Sequence, residues 1–498
     1  MTDKKSPAAT GRLSRRERGA LLVLCGALFL DALDVSMIGV ALPSIRTDLH
    51  LSTSSLQWVV SAYVLGYGGF LLLGGRVADL LGRRRVFLLS LAVFLVASGL
   101  GGLATAGSVL IATRFIKGMS AAFTAPAGLS IITTTFPEGP SRNKALSIYT
   151  ATGATGFSAG LLFGGLLTEI GWRYVFFLPV VVAFVTLVAA TRLVPVGETP
   201  PRAARMFDLF GAVSLTAAML LLVFTVVEAP GVGWGSPRTL GSFALGGAIL
   251  ALFVAHERRT AAPLLRLGIL RSAPLIRANL GAMSLFGGWV GFQFIATLYM
   301  QQLRGWSPLE AGLAILPAGL LVASIAPRLS PLINRFGVRR LILVGLATTL
   351  AAYLLFRPIG LGSGYASAML PTFLLAGLGF ALAYGPLNVA ATNGVAAKEQ
   401  GLAAGLLNTS FQFGGALGLA AVTAVNNANS GPGLSALALL HGFRAAVVVS
   451  VVAAALGVVV FAIRRRSSSP AGARRSLHEA REFLHNPLAA DGHQRNLC

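Results

Sequence analysis

Apolar runs long enough to cross a lipid bilayer recur from one end of this chain to the other. A helix needs about 20 apolar residues to span the hydrocarbon core. Fourteen such runs can be drawn, at about 19–41, 56–75, 86–106, 109–131, 145–168, 173–193, 209–229, 238–256, 278–301, 309–330, 338–357, 366–388, 402–425 and 443–463. Only 11% of the 498 residues are charged, against about 25% in a soluble domain. Backbone amides in hydrocarbon must bond within their own segment, and runs of this length do so as helices. The expected fold is an all-α polytopic membrane protein with 14 transmembrane helices.

The net charge of +23 is a matter of topology. Thirty-two of the 40 Lys and Arg fall on the loops and tails that share a side with the N-terminus; Arg46, Arg173, Arg238, Arg304, Arg357 and Arg444 fall on the other. Arg114 and Lys117 lie within the fourth run. The positive-inside rule then puts both termini in the cytoplasm of a cell-membrane protein. The basic charge is expected to face lipid headgroups, with no nucleic-acid partner. The first run is too long for the core of a signal peptide, so an uncleaved first helix is expected. Cys25 and Cys498 imply no disulfide framework. No phosphate-binding GxxxxGK[ST] loop, HExxH motif or Cys/His cluster is present. An enzyme, an ATPase and a metal site are therefore not expected, and neither is a cofactor.

Two loops repeat one another. GRVADLLGRRR at 75–85 joins spans two and three, and SPLINRFGVRR at 330–340 joins spans ten and eleven. Gly82 aligns with Gly337, Arg84 with Arg339 and Arg85 with Arg340, while Asn334 replaces Asp79. Such duplication is common in transporters. It divides the chain into a cytoplasmic N-tail (1–18), a six-helix bundle (19–193), a linker with two inserted helices (194–277), a second six-helix bundle (278–463) and a cytoplasmic C-tail (464–498). Gly75, Asp79, Gly82, Arg83 and Arg84 form a candidate conformational loop motif: glycine permits the reversal and arginine anchors the helix end. In span five, GATGFSAGLLFGG places Gly156, Gly160 and Gly164 on one face, with Gly165 beside them. Stripes of this kind let a neighbouring helix approach closely.

Carboxylates are rare inside a membrane because burying their charge is costly. Asp31 and Asp34 nevertheless sit within span one, three residues apart and on one helix face. Measured from Pro43, the expected outer end of that span, Asp34 lies about 13 Å deep; Arg114 lies about 8 Å from the outer start of span four. The two are close enough in depth to pair if those spans are neighbours. Tyr63, Gln293, Asn388 and Asn408 are further polar groups that could line a central cavity.

GRVADLLGRRR together with RFIKG at 114–118 resembles the major facilitator superfamily. Fourteen spans, LDVSMIGVALPSI at 33–45, GWRYVFFLP at 171–179, PLLRLGILR at 263–271 and GWSPLEAGLAILP at 305–317 narrow the resemblance to its drug:proton antiporter branch. It covers roughly 19–463. It implies that spans one and four are adjacent and that the fold has two six-helix halves of major facilitator type. With those spans adjacent, a buried carboxylate balanced between burial and a neighbouring arginine can take up and release a proton, so Asp34 is the expected main proton carrier. Arg114 is then its modulator, and Asp31 a second titrating or substrate-contacting group. Three positions depart from the family pattern: Leu161 stands where span five usually has proline, Lys117 where span four usually has glutamine, and Asn334 where the second loop would have an acid.

The expected function is proton-driven export of small lipophilic drugs or antibiotics, neutral or singly charged, by a monomer. A proton-coupled uptake permease for a metabolite, and a non-transporting membrane sensor or scaffold, are the alternatives.

Overall fold

The computed structural model describes residues 14–136, 140–195, 208–260, 268–269, 272–393, 395, 400–430 and 435–463. Residues 1–13 and 464–498 of the two expected tails, and 196–207 of the linker, lie outside them.

In chain order the helices are α1 (Arg15–Asp48), α2 (Thr53–Leu81), α3 (Arg83–Gly102), α4 (Gly107–Thr135), α5 (Pro140–Ile170), α6 (Tyr174–Leu193), α7 (Leu209–Val232), α8 (Pro237–Glu257), α9 (Ala273–Leu298), α10 (Pro308–Ile325), α11 (Leu329–Phe336), α12 (Val338–Phe356), α13 (Leu370–Thr392), α14 (Gln400–Asn429) and α15 (Ala436–Ala462). All but α11 have 18 residues or more. Among the described residues, eleven helical segments are both long enough and apolar enough to cross a membrane. Serines set several starts: Ser14 and Ser307 form capping boxes with Glu17 and Glu310, satisfying the first free amides of α1 and α10.

Several boundaries differ from expectation; the 75–85 loop, for one, is helical but for Gly82, since α2 runs on to Leu81 and α3 starts at Arg83. Pro43 does not end the first helix, which runs on to Asp48. The Thr47 hydroxyl donates to the Pro43 carbonyl at 3.0 Å, and the Asp48 carboxylate accepts from the Trp172 indole and the Arg173 guanidinium at 3.0 and 2.9 Å. These bonds hold the turn that a proline would otherwise release. The 330–340 loop, in turn, is largely helical. Leu329, Leu332, Ile333 and Phe336 recur at helical spacing, which suits α11 to one apolar face.

The repeated loop is repeated in space. Gly82 ends α2 with φ +96°, and Gly337 ends α11 with φ +79°, a region costly for any residue with a Cβ. The Arg84 guanidinium donates to the Thr191 carbonyl near the end of α6 at 2.5 Å. Its counterpart Arg339 donates twice to the Phe461 carbonyl near the end of α15, at 3.0 and 2.8 Å. Each arginine thus ties its loop to the carbonyl end of a distant helix, where cations are favoured. Arg84→Ala is expected to cost about 1 kcal/mol in thermal unfolding, the net worth of one such bond, and Arg339→Ala, which loses two, about 2 kcal/mol. Alanine at the exposed Arg85 or Arg340 should leave the melting temperature unchanged.

α1 packs along α5, α6 and α4; α2 along α4; α9 along α14; and α10 along α5 and α13. α7 carries α8 and rests on both α2 and α14. Glycines set the closest of these approaches. A Cβ at Gly156 would meet the backbone of Phe29, one at Gly160 that of Leu33, and one at Gly164 that of Met37, so the stripe in α5 receives α1. Gly165 instead faces the backbone of Leu309 in α10. Leu161 is fully buried, and its carbonyl faces Gly312 of α10.

Candidate functional site: a buried charge cluster between α1 and α4

Glycine also brings α4 against α2. A Cβ on Gly118 would land on the Tyr63 carbonyl, and one on Gly66 on the Phe115 carbonyl. This contact carries Arg114 under the core of the bundle, where its Nε donates to the Val59 carbonyl at 3.1 Å and its guanidinium lies 4.6 Å from the centre of the Tyr63 ring. Its Nη1 donates to Asp34 Oδ2 at 2.5 Å. The pairing expected from depth is therefore present.

The sequence reading left out a partner. The Lys117 ammonium donates to the other oxygen of Asp34, so both carboxylate oxygens are engaged by cations. Asp34, Arg114 and Lys117 are 2%, 1% and 0% exposed, which makes this a buried triad. Lys117 also donates to Ser98 Oγ at 3.0 Å, and the Ser98 hydroxyl donates to the Phe176 carbonyl at 3.0 Å. The rings of Phe94 and Phe176 flank its Nζ at 4.8 and 4.9 Å, a favourable setting for a desolvated cation. The signal was available: Lys117 follows Arg114 by three residues, which puts both on one helix face, and two bases in α4 match two acids in α1.

Asp31 behaves differently. It is half-buried, and it has no hydrogen bond or ion pair among the described residues. The candidate cavity residues are also dispersed. Tyr63 is buried beneath Arg114 and does not line open space. Gln293 is half-buried opposite Gly39 of α1. Asn388 and Asn408 each bond a carbonyl one turn back in their own helix, Tyr384 and Ala404, at 2.8 and 3.0 Å. Of the loop motif, Gly75 faces Pro126, and Arg83 reaches the Ser130 carbonyl at 3.4 Å. The Asp79 side chain lies outside the described residues. Glu228 accepts from the Trp58 indole at 2.8 Å, joining α7 to α2. Among the described residues no group of His, Cys, Asp and Glu could hold a metal.

A bundle of membrane-length helices with a carboxylate and two cations buried between its helices has the anatomy of a membrane transporter. Residues 24–419 match the Major Facilitator Superfamily, and the chain belongs to that family. Its relatives include proteins named for antibiotic export and for antibiotic or multidrug resistance. It is 37% identical over 448 residues to the cephamycin export protein of Amycolatopsis lactamdurans, covering 89% of this chain and 92% of that one. It is 36% identical over 467 residues to the puromycin resistance protein of Streptomyces alboniger, covering 90% and 91%. The fold is shared with a bacterial homologue of the human lysosomal transporter Spinster, at TM-score 0.64 and 19% identity, over 90% of this chain and 97% of that one.

Proposed function

We propose that this chain is a secondary active transporter of the bacterial cell membrane that exports lipophilic drugs or antibiotics in exchange for protons by alternating access. In this reading it crosses the membrane fourteen times as a monomer, with both termini in the cytoplasm. The bundles at 19–193 and 278–463 flank the inserted pair within 194–277. The proton gradient supplies the energy, with no cofactor.

The observation that carries the reading is the Asp34 carboxylate, held by Arg114 and Lys117 out of contact with water. A carboxylate can hold two cations only while it is ionised. A proton on Asp34 removes the charge that ties α1 to α4, and Arg114 and Lys117 are then left without their counter-ion in a low-dielectric interior. Loss of the proton restores the clamp. The glycine face of α5 gives α1 a smooth surface along which to shift between those states.

Contacts between the halves support an outer-closed state in the proposed orientation. The Gln301 side-chain amide donates to the Val40 carbonyl at 2.8 Å, and Gly165 and Gly312 seat α5 against α10. The export direction is supported by the relatives, whose names describe export of cephamycin and resistance to puromycin.

Drug accumulation in inside-out vesicles tests the reading. Vesicles carrying the protein and given an acidic lumen should concentrate a fluorescent lipophilic drug. A protonophore should abolish that accumulation, and vesicles without the protein should show none. Accumulation that survives collapse of the gradient would refute proton coupling.

A further inference from the structure

We propose that Lys117 is the residue that gives up the exchanged proton: Asp34 takes a proton from outside, and the proton that reaches the cytoplasm leaves from the Lys117 ammonium. The proposal rests on the proton-exchange reading above and adds the group through which the proton departs.

The triad is one anion short. One carboxylate faces two cations, and among the described residues no further anion bonds to either. The helices packed around α4 bring no other charge to Lys117. From α2 comes the Tyr63 ring under Arg114, from α3 the Ser98 hydroxyl and the Phe94 ring, and from α6 the Phe176 ring. α5 meets α4 at Gly128, through the Tyr149 hydroxyl. Asp31, the other acid of α1, is half-buried and bonds to neither cation.

A proton on Asp34 worsens the imbalance. Two cations are then left in a dry interior with no counter-ion, and like charges repel strongly where the dielectric is low. Arg114 cannot relieve this, because a guanidinium keeps its proton. Lys117 can, and it is well placed. Its Nζ donates to Asp34 Oδ1, while Arg114 holds Oδ2. It also lies three residues beyond Arg114 along α4, about 4.5 Å nearer the cytoplasm in the proposed orientation.

The resulting cycle balances. A proton from outside forms an O–H bond on Asp34. An Nζ–H bond of Lys117 breaks, and that proton leaves toward the cytoplasm. The Asp34 O–H bond then breaks as a new Nζ–H bond forms across the hydrogen bond between them, which restores the ionised triad. One proton has entered and one has left. Ser98 Oγ accepts from Nζ at 3.0 Å and can do so from amine and ammonium alike, so the side chain stays in place throughout. Lys117 stands where the family pattern usually has glutamine, so this step belongs to this chain.

Two substitutions at one position separate a proton-releasing lysine from a simple counter-ion. Arginine keeps the charge but holds its proton. Glutamine removes the charge and leaves Asp34 with Arg114 alone, able to release its proton directly. Drug-dependent proton release is followed in inside-out vesicles with ethidium, puromycin and tetraphenylphosphonium, on variants shown to be folded by their melting temperatures. Lys117→Arg should cut release about a hundredfold, the usual worth of a proton-transferring group, whereas Lys117→Gln should stay within about tenfold of wild type. The reverse order, or equal rates for all three proteins, would overturn the proposal. A second measurement covers an arginine variant that fails to fold. The full chain has only five lysines, Lys4, Lys5, Lys117, Lys144 and Lys398, so NMR of the protein in nanodiscs with carbon-13 at lysine Cε can follow each one. The signal missing from Lys117→Gln should pass between its charged and neutral positions within about pH 6 to 9, as a working proton-transfer group must. A signal that stays charged throughout would overturn the proposal whatever the vesicles show. Wild-type vesicles that release no protons with any of the three compounds would sink the export reading instead, and the NMR titration would still decide the role of Lys117.

Discussion

Asp34→Asn is expected to reduce drug–proton exchange to background and to destabilise the protein by about 3–5 kcal/mol, the cost of leaving buried charge without its partner. An asparagine is nearly the same size, so little packing is lost. Its single carbonyl can accept from one cation, but it carries no charge to balance either one. Its amide N–H groups would point at a guanidinium or an ammonium. Arg114 and Lys117 are almost wholly sheltered from water, so solvent cannot take over. Lowered stability alone would explain a dead transporter, and a second substitution separates the two causes. Lys117→Gln in the Asp34→Asn background removes one of the two orphaned charges and leaves an amide that can still bond Ser98. That double variant should melt closer to wild type than Asp34→Asn does, yet still fail to exchange protons. Recovery of exchange along with stability would make the triad a structural clamp only.

Gly118→Val is expected to dismantle the same cluster from the other side. The valine Cβ falls on the Tyr63 carbonyl, a rigid backbone atom that cannot move aside as a flexible side chain could. α2 and α4 must separate, and the bond from Arg114 to the Val59 carbonyl is stretched with them. Overpacking alone costs about 1–3 kcal/mol, and misplacement of Arg114 against Asp34 adds to it. Thermal unfolding should show a large fall for valine and a smaller one for alanine. Gly247→Val in α8 is the control, since its Cβ would meet nothing within 4 Å. An unchanged melting temperature for Gly118→Val would mean that α2 and α4 are not held as closely as described.

The helical plan was legible because hydrocarbon allows so few alternatives: long apolar runs had to be helices, and the glycines of the two repeated loops had to turn. The equivalence of Arg84 and Arg339 was visible as an alignment, but the distant carbonyls they reach were not. The Asp34–Arg114 pair could be anticipated from depth because both residues lie near one membrane level, given adjacent helices. Pro43 misled, since the bonds that hold the turn after it come from Thr47 locally and from Trp172 and Arg173, far along the chain. Lys117 was noticed as a departure from the family pattern and given no role, although charge balance within the bundle called for one.

The central claim is that proton exchange runs through Asp34. The measurement that tests it most directly is proton release from pre-acidified inside-out vesicles, followed with a luminal pH dye as a lipophilic drug is added. Wild type should release protons only when drug is present, and the folded Asp34→Asn, Lys117→Gln double variant should release none. Drug-dependent release by that double variant at the wild-type rate would contradict the account.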